Sequence, residues 1–235
     1  MAYARTSATH KATGSVAART VFTLKKSLTT HLLALLFASF LTAYIVAPVN
    51  SQRIDEPRIA PVVKSEWTDA QREMLTSYEE SDRLYNVYTT MARYPELARD
   101  WLVFGGHVLR RNSLPARDRE LLILRIGWLC QSEYEWSRHT IIARGVGISE
   151  EEILRITKGP DAKGWSEADA TLLRAADELR EDAFIIDATW NALAERYSEK
   201  QMMDIVFTVG EYNLVSMALN SFGVQLDDGV EGFPE

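Results

Sequence analysis

Helix-start chemistry constrains this chain more than any other signal in it. Five Ser or Thr residues stand ahead of apolar runs with Gln, Glu or Asp three residues on: Thr68 with Gln71, Ser132 with Glu135, Ser149 with Glu152, Ser166 with Asp169, and Ser198 with Gln201. In a capping box the hydroxyl accepts the N3 amide hydrogen while the N3 side chain returns to the cap amide. Behind these starts the apolar residues recur at helical spacing, as Leu172, Leu173, Ala176 and Leu179 do. Helices are predicted over 69–80, 84–92, 96–110 (Pro95 at N1), 116–129, 132–144, 150–158, 167–182, 189–197 and 198–222, with Gly223 closing the last. The β-branched cluster Phe184-Ile185-Ile186 is too short to overturn this pattern. The expectation is an all-α domain over 65–235. The stretch 202–219 is apolar nearly all round and is expected in the core or in an interface.

Ahead of that domain the composition changes. Residues 1–51 carry Arg5, Lys11, Arg19, Lys25 and Lys26 and no acidic residue, and Leu32 to Ala47 are free of charge. A basic n-region before an apolar h-region is the pattern of a secretory signal, with Val49 and Ser51 as small residues before a cut at Gln52. Three readings stay open: a cleaved signal peptide, an uncleaved signal-anchor, and an organellar transit peptide. In the first two the domain lies on the non-cytoplasmic side, secreted or membrane-anchored, and touches a membrane only through this leader. Residues 52–64, with Pro57 and Pro61, read as a linker.

Five of the 26 basic residues belong to the leader, which leaves 21 against 33 acidic ones, a formal −12. A domain so acidic excludes nucleic acid as a partner, because phosphate contacts need clustered cations. The histidines and the single cysteine form no His-x-x-x-His or Cys-x-x-Cys, so neither metal nor cofactor is expected. Gly105-Gly106 follows no strand and is not a phosphate loop.

The chemistry concentrates in 115–147, PARDRELLILRIGWLCQSEYEWSRHTIIARGVG. Glu135 and His139 are four apart and share one helix face. A carboxylate beside an imidazole favours the imidazolium and fixes the ring, which suits proton delivery to carbon in a decarboxylation. Glu120 on the preceding helix could close over the same pocket. Structural accounts compete with each of these. Glu135 is accounted for by its capping box, His139 by a satisfied core position, and Glu120 by the helix dipole. Cys130 reads as a small buried hydrophobe. It is grouped with Ser132, Glu133 and Tyr134 as possible pocket lining. Sliding the chain by 78 residues lays Glu133-Tyr134 on Glu211-Tyr212 and Gly145-Val146 on Gly223-Val224, a faint internal repeat.

RELLILR (119–125), SEYEW (132–136) with a His four after its second Glu, and IARGVGIS (142–149) together resemble the carboxymuconolactone decarboxylase family, which includes the alkylhydroperoxidase D branch. The resemblance runs on through LLRAADELRED (172–182) and Trp190 to VGEYNLVSMALNSFGV (209–224), covering roughly 65–230. It implies an alkylhydroperoxidase D-like helical bundle that forms homo-oligomers. The redox branch carries a Glu, a Cys-x-x-Cys pair at a helix start, and a His. On this chain the Glu is Glu120 and the His is His139. The two cysteines fall on Ser132 and Glu135, and the His between them is Tyr134. The dithiol is absent. The resemblance therefore implies a cofactor-independent, decarboxylase-like lyase acting on a small carboxylated lactone or related organic acid. Arg125, Arg138 or Arg144 is the candidate for the substrate carboxylate. A thiol-fed peroxidase and a non-catalytic oligomeric scaffold are the alternatives.

Overall fold

The computed structural model describes residues 53–234, and the leader reading lies outside them. A 3-10 turn, Lys64–Glu66, precedes nine α-helices among the described residues. These are α1 (Asp69–Glu80), α2 (Asn86–Met91), α3 (Pro95–Arg110), α4 (Ala116–Leu129), α5 (Glu133–Gly145), α6 (Glu150–Thr157), α7 (Glu167–Glu181), α8 (Asp187–Ala194) and α9 (Glu199–Phe222). No strand occurs among the described residues. Thr68, Ser149 and Ser198 make complete capping boxes, and Ser166 accepts from the Asp169 amide.

The central helix is α4. It packs against α5, α6, α7 and α9, and every residue from Glu120 to Gly127 is buried. Burial on all sides explains its almost unbroken apolar run. The expectation for 202–219 divides. One face of α9 buries Ile205, Val209, Tyr212, Val215 and Leu219. On the other, Met203, Phe207, Leu214 and Met217 are at least half exposed. A second apolar cluster joins Val62 and Trp67 to α1, Ala92 and α3.

The segment read as a linker is irregular from Arg53 to Val63 but tied to the domain. The amides of Arg58 and Ile59 donate to the Phe222 carbonyl, and the Val62 amide donates to Thr89 O. Gly223 makes this docking possible. Its φ is +70°, and a Cβ there would run into Ile54 and stand 3.1 Å from the Glu56 carbonyl oxygen. We expect Gly223→Ala to cost at least about 1–2 kcal/mol, the penalty of a left-handed L-residue. Urea denaturation at constant m-value measures this, and an unchanged midpoint contradicts it.

Candidate active site

The α4–α5 turn sets the site. Cys130 ends α4, Gln131 takes φ +50°, and the Ser132 amide donates to Gly127 O at 2.9 Å. This folds α5 back along α4 and brings Glu120 to His139, nineteen residues apart. Glu120 Oε2 lies 2.6 Å from His139 Nδ1, and Glu135 Oε1 lies 2.9 Å from Nε2. The imidazole therefore sits between two carboxylates, and all three side chains are buried. The Nε2 contact is close but off the ring N–H direction, so Glu135 Oε1 has no aligned hydrogen bond. Tyr212 of α9 meets the imidazole edge-on, with ring centres 4.9 Å apart.

This geometry decides between the accounts of Glu135. The predicted capping box at Ser132 does not form: Ser132 makes no side-chain cap hydrogen bond. Ser132 is wholly buried, and its Oγ has no partner among the described residues. The Glu135 carboxylate turns to His139 instead, where an opposite charge is stronger than a cap amide.

Burial by itself lowers the pKa of His139, but the charges of Glu120 and Glu135 overcome that and raise it from 6.5 to about 10. At neutral pH the site holds an imidazolium clasped by two carboxylates. On its far side, Glu120 Oε1 accepts from Arg119 Nε at 3.1 Å. Glu120 is thus anchored by two cations, and Glu135 Oε1 is the freer oxygen.

A third carboxyl group, Glu211 of α9, stands near. Burial pushes its pKa up, and the charge of Glu135 adds to the shift, while the bond from Trp101 opposes it. Trp101 Nε1 donates to Glu211 Oε1 at 2.6 Å, and Glu211 Oε2 has no partner among the described residues. Gly105 lies beneath this carboxyl, where a Cβ would come within 3.1 Å of Oε1. The glycine that resembled no phosphate loop makes room for an acid.

The remaining residues singled out in the sequence lie elsewhere. Glu133 accepts the Phe233 amide, and the Tyr134 hydroxyl donates to Asp227 Oδ2 at 2.8 Å, so both hold the C-terminal tail. They line a small cleft with Arg53 and Asn220 rather than the His139 site. The Cys130 thiol is buried and donates to Asn213 Oδ1 at 3.1 Å; burial raises its pKa, against the pull of Arg180.

The three arginines proposed for a substrate carboxylate are all engaged. Arg125 grips Asp177 and the Ile156 carbonyl. Arg138 lies 3.5 Å over the Tyr85 ring, and Arg144 pairs with Glu150. The arginine at the site is Arg119, which the sequence reading passed over. Glu211 and Tyr212 were visible only as the second copy of the repeat. The second Glu-Tyr borders the site, while the first anchors the tail. Among the described residues no cluster of ligating side chains fits a metal ion.

The comparisons agree with this fold and segment. The model of the carboxymuconolactone decarboxylase family matches residues 95–178, which contain Glu120, Glu135 and His139. No curated protein matches the sequence. Among solved structures, an alkylhydroperoxidase AhpD core from Ralstonia eutropha, an uncharacterized peroxidase-related protein, superposes with a TM-score of 0.65 at 17% identity, over 73% of this chain and 93% of that one. A putative antioxidant defence protein AhpD from Agrobacterium tumefaciens gives 0.55 at 19%, over 58% and 94%. A cysteine variant of the debrominase Bmp8, in complex with 2,3,4-tribromopyrrole, gives 0.60 at 15%, over 72% and 91%. Residues 95–178 thus match the carboxymuconolactone decarboxylase family, and the chain shares the fold of alkylhydroperoxidase D-like proteins.

Proposed function

We propose that the chain is a cofactor-independent, decarboxylase-like lyase that acts on a small carboxylated lactone or related organic acid by Glu/His acid–base chemistry. The observation that carries this reading is the buried line Glu120–His139–Glu135, with its two contacts of 2.6 and 2.9 Å. In a decarboxylation the C–C bond breaks, carbon dioxide leaves, and its electron pair stays on carbon as an enolate. That carbon then needs a proton. Glu120 retains the Nδ1 side, so the Nε2 proton is the one to be given, directly or by way of Glu135, and solvent replaces it. With Arg125, Arg138 and Arg144 engaged, the imidazolium is also the positive charge available to a substrate carboxylate. The debrominase with a bound bromopyrrole shares this fold, which supports a small organic ring as substrate.

The peroxidase alternative has less support. Ser132 and Glu135 hold the dithiol positions, and Cys130, the only cysteine in the chain, is buried with a raised pKa. A screen of the full chain against lactone acids and hydroperoxides, with His139→Ala as control, tests the assignment. Turnover of a lactone acid that His139→Ala abolishes supports it. Sustained thiol-dependent peroxide consumption that needs Cys130 overturns it.

Self-association is part of the proposal. Met203, Phe207, Gly210, Leu214 and Met217 recur four and three residues apart on the open face of α9, the spacing of a helix–helix seam. Phe104 of α3 lies edge-on to Phe207 at 6.0 Å and widens it. We expect Phe207→Glu to reduce the oligomer to a monomer by light scattering at micromolar concentration; a wild type already monomeric there contradicts this. No helix among the described residues is long and apolar enough to cross a membrane. Placement outside the cytoplasm, like any membrane contact, rests on the leader.

A further inference from the structure

Between Gln201 and Asn220 the exposed residues of α9 are Met203, Phe207, Gly210, Leu214 and Met217. Counted from Gly210 they stand at −7, −3, 0, +4 and +7. The stripe reads nearly the same in both directions, with a residue that has no side chain at its centre. Nothing inside the chain calls for that glycine. A Cβ at Gly210 would meet no atom within 4 Å, and the position lies inside a helix, where glycine is the poorest residue after proline. A glycine there suits the close approach of another backbone from outside.

The two sides of Gly210 differ in shape. Toward the N-terminus, Phe207 and Phe104 of α3 meet edge-on and form a ridge. Toward the C-terminus, Leu214 and Ala218 join Leu97 and Trp101 of α3 around an apolar hollow of about 190 Å3. Leu97 and Leu214 are half exposed, so the hollow opens on the same face as the stripe. An apolar cavity of about 150 Å3 accommodates benzene, so one phenylalanine ring fits this one. A two-fold axis that runs two α9 helices antiparallel keeps both copies of α3 on one side and sets each ridge over the other copy's hollow. A parallel pairing puts the two α3 helices on opposite sides and leaves both hollows unfilled.

Charge and area agree with the antiparallel choice. Exposed Glu199 begins α9, eleven residues before Gly210, and Ser221 stands eleven residues after it. Exposed Arg58 donates Nη1 to the Ser221 carbonyl at 3.4 Å, so antiparallel pairing brings the partner's Glu199 toward a cation. Leu97, Phe104, Met203, Phe207, Leu214 and Met217 are 38–62% exposed. At about 200 Å2 for a large side chain they present roughly 600 Å2, within the roughly 600–1,000 Å2 that each partner gives a stable interface.

We propose that two copies of the chain pair by an isologous contact in which their α9 helices cross antiparallel at Gly210 and the partner's Phe207 enters the hollow of Leu97, Trp101, Leu214 and Ala218. The inference rests on the self-association reading and adds the axis and the occupant to it. It also ties the pairing to the candidate site, because Trp101 lines the hollow and its indole N–H holds Glu211 Oε1.

Disulfide cross-linking of the full chain in a Cys130→Ala background tests the arrangement. Chains carrying Phe207→Cys, mixed with chains carrying Leu214→Cys, should cross-link to each other. Neither variant should cross-link to itself, because a crossing at Gly210 sets like positions about 9 and 12 Å apart along the helix, beyond the ~7 Å that a disulfide spans. Gly210→Leu should weaken the pairing by about thirtyfold or more in sedimentation, the scale of an interface hot spot. Its far-UV circular dichroism should be no less helical than that of the wild type, since leucine is the better helix former and meets open space in the single chain. Should Gly210→Leu fail to fold, the cross-links still decide. A monomeric wild type overturns the self-association reading and this one with it. In an oligomeric wild type, three results overturn this inference alone: no mixed cross-link, self-cross-linking of either cysteine variant, or a folded Gly210→Leu that pairs as tightly as before.

Discussion

Glu120→Ala should destabilise the protein by about 3–5 kcal/mol, the cost of removing one partner from a buried ion pair. Glu120 is wholly buried, and its loss leaves His139 and Arg119 each without the carboxylate that faces it. Glu120→Gln keeps the volume and should cost less. The effect has a pH signature. His139 has a pKa raised above its unfolded value, so its stabilising contribution is complete below about pH 6.5, the ordinary pKa of histidine. That contribution is lost as the pH rises through about 10. The gap in unfolding free energy between wild type and Glu120→Ala should therefore be widest at about pH 6.5 and narrow steadily toward pH 10. Urea titrations across that range give the curve. A gap that is small throughout, or that grows with pH, counts against a charged His139 in the fold.

The largest effect on activity is expected at Glu135 and His139. Once a substrate is in hand, Glu135→Gln should lower the rate on the order of 10²–10⁴-fold, the usual worth of a positioned acid or base. His139→Ala should do at least as much. The fold should tolerate Glu135→Gln, because Glu135 closes no capping box and His139 keeps Glu120 as its partner. Activity and melting temperature therefore separate at Glu135, whereas at Glu120 they fall together. A Glu135→Gln enzyme with full activity would falsify the acid–base role.

The helices were legible because their start signals are local. Thr68, Ser149 and Ser198 need only residues three positions away, and their capping boxes form as the spacing predicts. Ser132 carries the same signal and does not cap. There the α4–α5 turn buries the serine completely, and His139 draws Glu135 away. Tertiary contact overrides local chemistry at the candidate site, where conflict between levels is expected.

The Glu135–His139 pair could be read from its spacing of four, and Glu120 from its place on the preceding helix together with family resemblance. Arg119 and Glu211 escaped because nothing local distinguishes them. Arg119 looks like first-turn charge, and Glu211 reaches the site from a helix more than seventy residues on. Glu133 and Tyr134 were grouped with the pocket because they lie within SEYEW. A helix places neighbours about 100° apart, so α5 aims Glu135 at α4 while Glu133 and Tyr134 hold the C-terminal tail. The apolar character of α9 was plain, but composition alone could not say that one face lies in the core and the other is open.

The central claim is that His139 is an imidazolium held between two buried carboxylates at neutral pH. The most direct test is an NMR titration of the His139 ring in wild type, Glu135→Gln and Glu120→Gln. The wild-type ring should stay protonated through neutrality and titrate near 10. Each variant should titrate lower, because each removes a charge that stabilises the protonated ring. A ring that titrates near 6.5 in the wild type, with the same curve in both variants, contradicts the account.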